Sequence, residues 1–252
     1  MLESSQRTFA GQVAIVTGVR HGSGLAVAER LAGAGARLIV VDTDPAIAAD
    51  VAAELRKDGS DVEPFAQGAL KENSRASVAA LALERYGSIE ILVNASACGT
   101  PGRAADQNDP DLARADKQYG VACVLNVLPT MIANGYGRIV NVGGCVVPAY
   151  PSVPNDRAEP DRSCLHRMTL PLVRDIAPHG ITLNSIACVS ASSSTPPFKA
   201  RRTTLLARYG SRPDNRLRGF DQMGAIAMWL ASTGAAFLHG QILYSELDGR
   251  AM

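Results

Sequence analysis

The sequence predicts an α/β fold, a single domain over residues 1–252 built on a doubly wound, largely parallel sheet. Two observations carry this. Short β-rich runs alternate with longer helical stretches along the whole chain. Such alternation gives right-handed crossovers between parallel strands. Most of the short runs are also apolar throughout, not at every second residue. A strand covered on both faces has that pattern.

The elements follow in order. QVAIVT (12–17) is a strand, and TGVRHGSG (17–24) leads from it into a helix over 24–34. ARLIVVD (36–42) is the second strand, followed by a helix over 45–58. Pro45 suits that helix start because its φ is fixed and it lacks an N–H that would go unused there. DVEPFA (61–66), a helix over 74–86, IEILVNA (89–95) and a helix over 111–133 come next. GRIVNV (137–142), a helix over 160–177, GITLNSIA (180–187), a helix over 221–232 and GQILYS (240–245) complete the series. Pro160 fits the first turn of its helix, whereas Pro171 should kink it.

Bulk properties exclude several classes. A length of 252 residues with 46% hydrophobic residues suits one globular domain with a buried core. The formal net charge is +1, so neither nucleic acid nor an anionic membrane is an expected partner. No apolar run approaches the ~20 residues of a membrane span, and MLESSQRTF reads as no signal peptide. The 5 cysteines form no CxxC pair, and the expectation is a reduced, cytoplasmic chain. The 4 histidines have no metal-ligand spacing, so no metal site is expected.

The loop after the first strand carries Thr17, Gly18, Gly22, Ser23 and Gly24. Glycines there permit a tight turn and close approach of backbone to a pyrophosphate, and the next helix N-terminus offers free N–H groups. The second strand ends in Asp42. A carboxylate there can accept both ribose hydroxyls and repels a 2′-phosphate, so NAD is expected over NADP. Arg20 and His21 read as solvated loop residues, with phosphate contact as their other role.

These motifs resemble the short-chain dehydrogenase/reductase family over nearly the full length. TGxxxGxG matches Thr17 to Gly24, RYGSIEILVNASA resembles FGxxDxLVNNAG with Asn94 on its first asparagine, and GYGRIVNV matches the run into the fifth strand. LVRDIAPHGITLNSIA and AIAMWLASTGAAFLHGQILYSELDG match the segments around the last two strands. The resemblance implies a Rossmann-type fold with a predominantly parallel seven-stranded sheet and helices on both faces. It also implies a homodimer or homotetramer assembled through helices 111–133 and 160–177. The cofactor contacts it implies are Thr17, Gly18, Gly22, Ser23, Gly24, Asp42 and Asn94.

The family's proton-transfer residues are harder to find. Alignment places its serine at Gly144, its tyrosine at Ala158 or Arg157, its lysine at Arg162 and its helix asparagine at Asp116 or Lys117. None of the 6 tyrosines has a lysine four positions later. NNAG has become NASA at 94–97, the acid after the third strand is Gly68, and the PG motif after the sixth strand is Cys188–Val189. Left in the cleft are Cys145, Tyr150, Asp156, Arg157, Glu159, Asp161 and Arg162. Charged residues near a helix start also serve as caps, and a tyrosine or cysteine there also packs. The run 190–202 corresponds to the family's substrate lid.

Three readings follow. The favoured one is a redox-neutral enzyme for a small organic substrate, performing a cyclisation, isomerisation or lyase reaction. Its site is Arg162 with Asp156, Arg157 and Tyr150, and NAD is structural or absent. The second is an NAD(H)-dependent oxidoreductase with an atypical proton donor such as Tyr150 or a bound water. Loss of positioned acid/base catalysis, worth ~10²–10⁴-fold, weighs against it. The third is a non-catalytic binding or partner subunit.

Overall fold

The computed structural model describes residues 8–20, 22–66, 72–95, 110–144, 169–189 and 220–246. Strand β1 (Val13–Thr17) is followed by helix α1 (Gly22–Gly33), β2 (Arg37–Asp42), α2 (Pro45–Lys57), β3 (Val62–Ala66), α3 (Glu72–Tyr86) and β4 (Ile91–Asn94). Then come α4 (Pro110–Asn134), β5 (Gly137–Gly144), the short α5 (Val173–Ile176), β6 (Ile181–Val189), α6 (Phe220–Ala231) and β7 (Ile242–Glu246).

The seven strands form one sheet in the order β3-β2-β1-β4-β5-β6-β7. Every described pairing is parallel, in agreement with the sequence. Side chains alternate between two cores. Ala14, Val16, Leu38, Val40, Ile91 and Val93 pack in one cluster with residues of α1 and α6. Val13, Ile15, Ile39, Val41 and Leu92 pack in another with residues of α3 and α4. Each full burial of such a side chain contributes roughly 1.5–3 kcal/mol. Two covered faces explain why the strands read as continuous apolar runs instead of alternating ones.

The helices obey local rules. Asp44 caps α2, its side chain accepting from Ala46 N at 3.0 Å, and Pro45 takes the first turn. Arg56 and Lys57 lie in the last turn, where cations complement the helix dipole. Pro129 stands inside α4 on its exposed side, beside exposed Leu125. An interior proline is more tolerable on the solvent side of a helix, where water can partner the carbonyl that loses its hydrogen bond.

The expected helix over 160–177 needs correction. In its described part, 169–177, helical geometry is broken into a 3₁₀ turn (Leu170–Leu172), α5, and a second 3₁₀ turn (Ala177–His179). Pro171 and Pro178 each stand in the first turn of a 3₁₀ segment. A proline donates no N–H and crowds the preceding turn, so a continuous helix cannot pass through both. His239 pins this segment to the sheet. Its Nδ1 accepts from Leu183 N at 3.2 Å, and its Nε2 donates to Val173 O at 2.6 Å.

Candidate functional site

In an open α/β sheet the binding crevice lies outside the carboxyl ends of the strands, where the order reverses. Here the reversal falls between β1 and β4, whose neighbours β2 and β5 run off in opposite directions. Register puts Thr17, Asn94, Asn141 and Ser185 side by side at that edge. The open cleft lined by Leu170, Val173, Arg174, His239 and Gly240 flanks the amino ends of β6 and β7 instead.

The start of the loop after β1 is tied to both neighbouring strands. Gly18 N donates to Val41 O at 2.8 Å, and Thr17 Oγ1 accepts from Ala95 N at 3.1 Å. Gly18 and Gly22 have φ of 70° and 68°, a region that other residues enter only under strain. Gly24 is needed for space. A Cβ there would lie 2.2 Å from Gly18 O, so this turn of α1 closes directly on the loop backbone. Ser23 is buried, and its Oγ has no hydrogen-bond partner. An orphaned hydroxyl at a helix N-terminus behind two left-handed glycines fits a pyrophosphate. The ring of Phe220, the first residue of α6, covers Gly22, where a Cβ would meet it at 3.0 Å.

Asp42 ends β2 and is 3% exposed. It accepts from Arg20 N at 2.9 Å through Oδ2. Through Oδ1 it accepts from Arg20 Nη2 at 2.8 Å, Arg20 Nε at 3.2 Å and Asp44 N at 3.1 Å. Arg20 is therefore no solitary solvated residue, as the sequence suggested. The expected repulsion of a 2′-phosphate assumed a bare carboxylate, whereas this one carries a guanidinium. Sequence reasoning missed the pair because the residues lie 22 positions apart. The available signal was a cation in the loop that must pass over the end of β2.

Asn94 is fully buried. Its Nδ2 donates to Gly120 O of α4 at 3.2 Å and to Asn141 Oδ1 at 3.1 Å. Asn141 Nδ2 donates in turn to Thr169 Oγ1 at 2.9 Å. Asn141 and Thr169, which the sequence did not single out, thus join Asn94 in a chain linking β4, β5, α4 and the start of the 3₁₀ segment.

Gly144 ends β5 and stands opposite Cys188 of β6, on the same sheet edge. Asp116 and Lys117 lie in the first half of α4. Tyr150, Asp156, Arg157 and Arg162, with Cys145, Ala158, Glu159 and Asp161, lie outside the described residues, as do His21, Gly68 and the run 190–202. Three other tyrosines are poorly suited to proton transfer here. Burial, with the hydrogen bond to Asp61, pushes the Tyr86 hydroxyl well above its usual range. Burial beside Cys123 does the same to Tyr119. Tyr136 lies at the amino end of β5, under the Arg138 guanidinium, 4.2 Å from the ring centroid. Among the described helices none is long and apolar enough to cross a membrane.

Comparison with known proteins bears on the chemistry. Residues 12–203 match the family model described as short chain dehydrogenase. The chain is 31% identical, over 92% of both chains, to the 2,3-dihydroxy-2,3-dihydro-p-cumate dehydrogenase of Pseudomonas putida. It is 28% identical, over 93% of its own length and 92% of the relative's, to the (2S)-[(R)-hydroxy(phenyl)methyl]succinyl-CoA dehydrogenase subunit BbsC of Thauera aromatica. A solved structure from Sinorhizobium meliloti 1021, assigned to the short-chain alcohol dehydrogenases, superposes with a TM-score of 0.70 at 26% identity, covering 95% of this chain and 96% of that one. These findings overturn the expectation of a redox-neutral transformation. Relatives matched over more than nine-tenths of their length carry dehydrogenase names, which points to redox chemistry for this chain as well.

Proposed function

The chain belongs to the short chain dehydrogenase family, and from that premise we propose that it is an oxidoreductase using a nicotinamide dinucleotide on a small alcohol or carbonyl substrate. The observation that carries this is the loop between β1 and α1, with its two left-handed glycines, the close packing at Gly24 and the unpartnered Ser23 hydroxyl. Thr17, Gly18, Gly22, Ser23 and Gly24 would hold the pyrophosphate, and Asp42 would lie at the adenosine ribose. When bound, the nicotinamide supplies or takes the hydride.

Tyr150 is the proposed proton donor. It is the sole tyrosine between positions 137 and 208, and it follows the last residue of β5, Gly144, in sequence. In carbonyl reduction the Tyr150 hydroxyl would give its proton to the substrate oxygen. Arg162 stays cationic throughout and stabilises the resulting phenolate without moving a proton itself. The test is turnover of NADH and NADPH against a panel of carbonyls, with oxidation of alcohols and cyclic vicinal diols, the diol class being suggested by the Pseudomonas putida relative. Expected turnover is lost in Tyr150→Phe. Dinucleotide binding without turnover on any substrate would overturn the reading as an enzyme.

A second reading has specific support. No tyrosine in the sequence has a lysine four positions later, and the Thauera aromatica relative is itself named a subunit. The chain would then be a dinucleotide-binding subunit completed by a catalytic partner of the same family. It would bind dinucleotide alone and turn over only when that partner is added. Assembly as a homodimer or homotetramer belongs to the first reading, and light scattering of the purified chain checks it.

A further inference from the structure

Gly22 opens α1 at a φ of 68°, and its own chemistry does not keep it there. Glycine populates both signs of φ about equally, so this turn has to be held by what packs around it. The start of the loop has hydrogen bonds for that, from Gly18 N to Val41 O and from Ala95 N to Thr17 Oγ1. At Gly22 the contact is apolar. One edge of the Phe220 ring faces it, and a Cβ there would lie 3.0, 3.2 and 3.3 Å from Phe220 Cε1, Cζ and Cδ1. Phe220 is 9% exposed and belongs to the core cluster that also holds residues of α1.

The seam between the two helices keeps the ring in place. Gly224 lies four residues after Phe220, and Ala26 four residues after Gly22. A Cβ on Gly224 would lie 3.0 Å from Ala26 O and 2.9 Å from Arg30 Cδ, so α6 meets the α1 backbone directly there. The helices thus run in the same direction, one turn matched to one turn, and the first residue of α6 is pressed on the first residue of α1. In an interior packed this closely the ring has little room to retreat. A phosphate at a helix start is held by backbone N–H groups, and such groups bind best when they are already in place. We propose that Phe220 is a positioning residue for the dinucleotide. Acting through Gly22, its ring holds the first N–H groups of α1 in the geometry that receives the pyrophosphate. This rests on the nicotinamide-dinucleotide reading above.

The test compares Phe220→Ala with Leu230→Ala, which empties a fully buried site in the last turn of the same helix. Two measurements are made on the full-length chain at a temperature where the variants remain folded. They are calorimetric Kd values for NADH and NADPH, and amide hydrogen exchange over residues 17–25 without ligand. Phe220→Ala should raise the Kd of whichever dinucleotide the unmodified chain binds by about ten- to a hundredfold, and speed exchange in the loop. Leu230→Ala should lower stability and leave both measurements unchanged. Phe220→Leu, which keeps bulk without the ring, should fall between, and it carries the comparison if Phe220→Ala does not fold. Unchanged Kd values in the Phe220 variants overturn the proposal. So does a Leu230→Ala variant that reproduces both effects. An unmodified chain that binds neither dinucleotide overturns the nicotinamide reading along with the proposal, so the two failures are distinguishable.

Discussion

The strand ends on either side of the switch point are built differently. At β1 and β2 the polar groups are charged and one partner is half exposed: Arg20 on Asp42. At β4 and β5 they are neutral and buried: Asn94 on Gly120 O and Asn141, Asn141 on Thr169. A charged pair with an exposed member can exchange one partner for a ligand, because water screens the intermediate arrangement. A buried amide chain cannot, since each broken bond leaves a group with no replacement donor or acceptor. The first region is thus suited to recognition, and the second to holding α4 and the 3₁₀ segment on the sheet. Asn94, expected as a cofactor contact, has its amide nitrogen committed to that framework.

Substitutions can break this contrast. The largest effect should come from Gly24→Ala, which sets a methyl 2.2 Å from a backbone oxygen. The loop has to shift, and a loss of about 3 kcal/mol in urea unfolding is expected, together with loss of dinucleotide binding. Asn141→Ala comes next. It strips Asn94 Nδ2 and Thr169 Oγ1 of a partner, and should cost about 2–3 kcal/mol without altering the NADH/NADPH ratio. A changed ratio would show that the two regions are coupled.

Tyr119 tests the apolar side of the neutral region. Burial raises its hydroxyl pKa in the folded state above the ordinary value of about 10. Its contribution is therefore fully present below about pH 10 and is lost as pH rises beyond that, because the unfolded chain ionises first. Tyr119→Phe should leave stability near neutral pH little changed and make its decline above about pH 10 shallower, as read from denaturant midpoints across pH. The smallest effect is expected from Glu63→Gln, where Arg56 and Arg85 both reach a carboxylate at 2.9 and 3.1 Å on an open surface. Exposed pairs contribute about 0–1 kcal/mol, so a change within about 0.5 kcal/mol is expected. A larger loss would weaken the distinction between exposed charge and buried amide.

Legibility in the sequence followed the range of the interaction. The strands lie within a residue or two of their expected positions, because burial on both faces writes itself locally as an apolar run. The turn glycines were equally readable, since φ and crowding are properties of one position. In the described part of the helix expected over 160–177, the kink expected at Pro171 takes the form of a 3₁₀ turn, because the missing N–H breaks the α-helical pattern. The chemistry did mislead. The absence of a Tyr–Lys pair weighed against redox function, but residue identity at a few positions does not fix the reaction of a scaffold.

The sequence by itself determined the parallel α/β sheet, the glycine loop and the acid that ends β2. Each follows from hydrophobic pattern or backbone sterics within a dozen residues. Only the tertiary structure decided what that acid faces. Arg20 reaches Asp42 because β1 and β2 are hydrogen-bonded neighbours, with Thr17 beside Val41. Likewise Asn94 meets Asn141 across 47 residues because β4 and β5 pair in register. Such partnerships depend on which strand ends are brought together, and so does whether a carboxylate is open to a ribose or already paired.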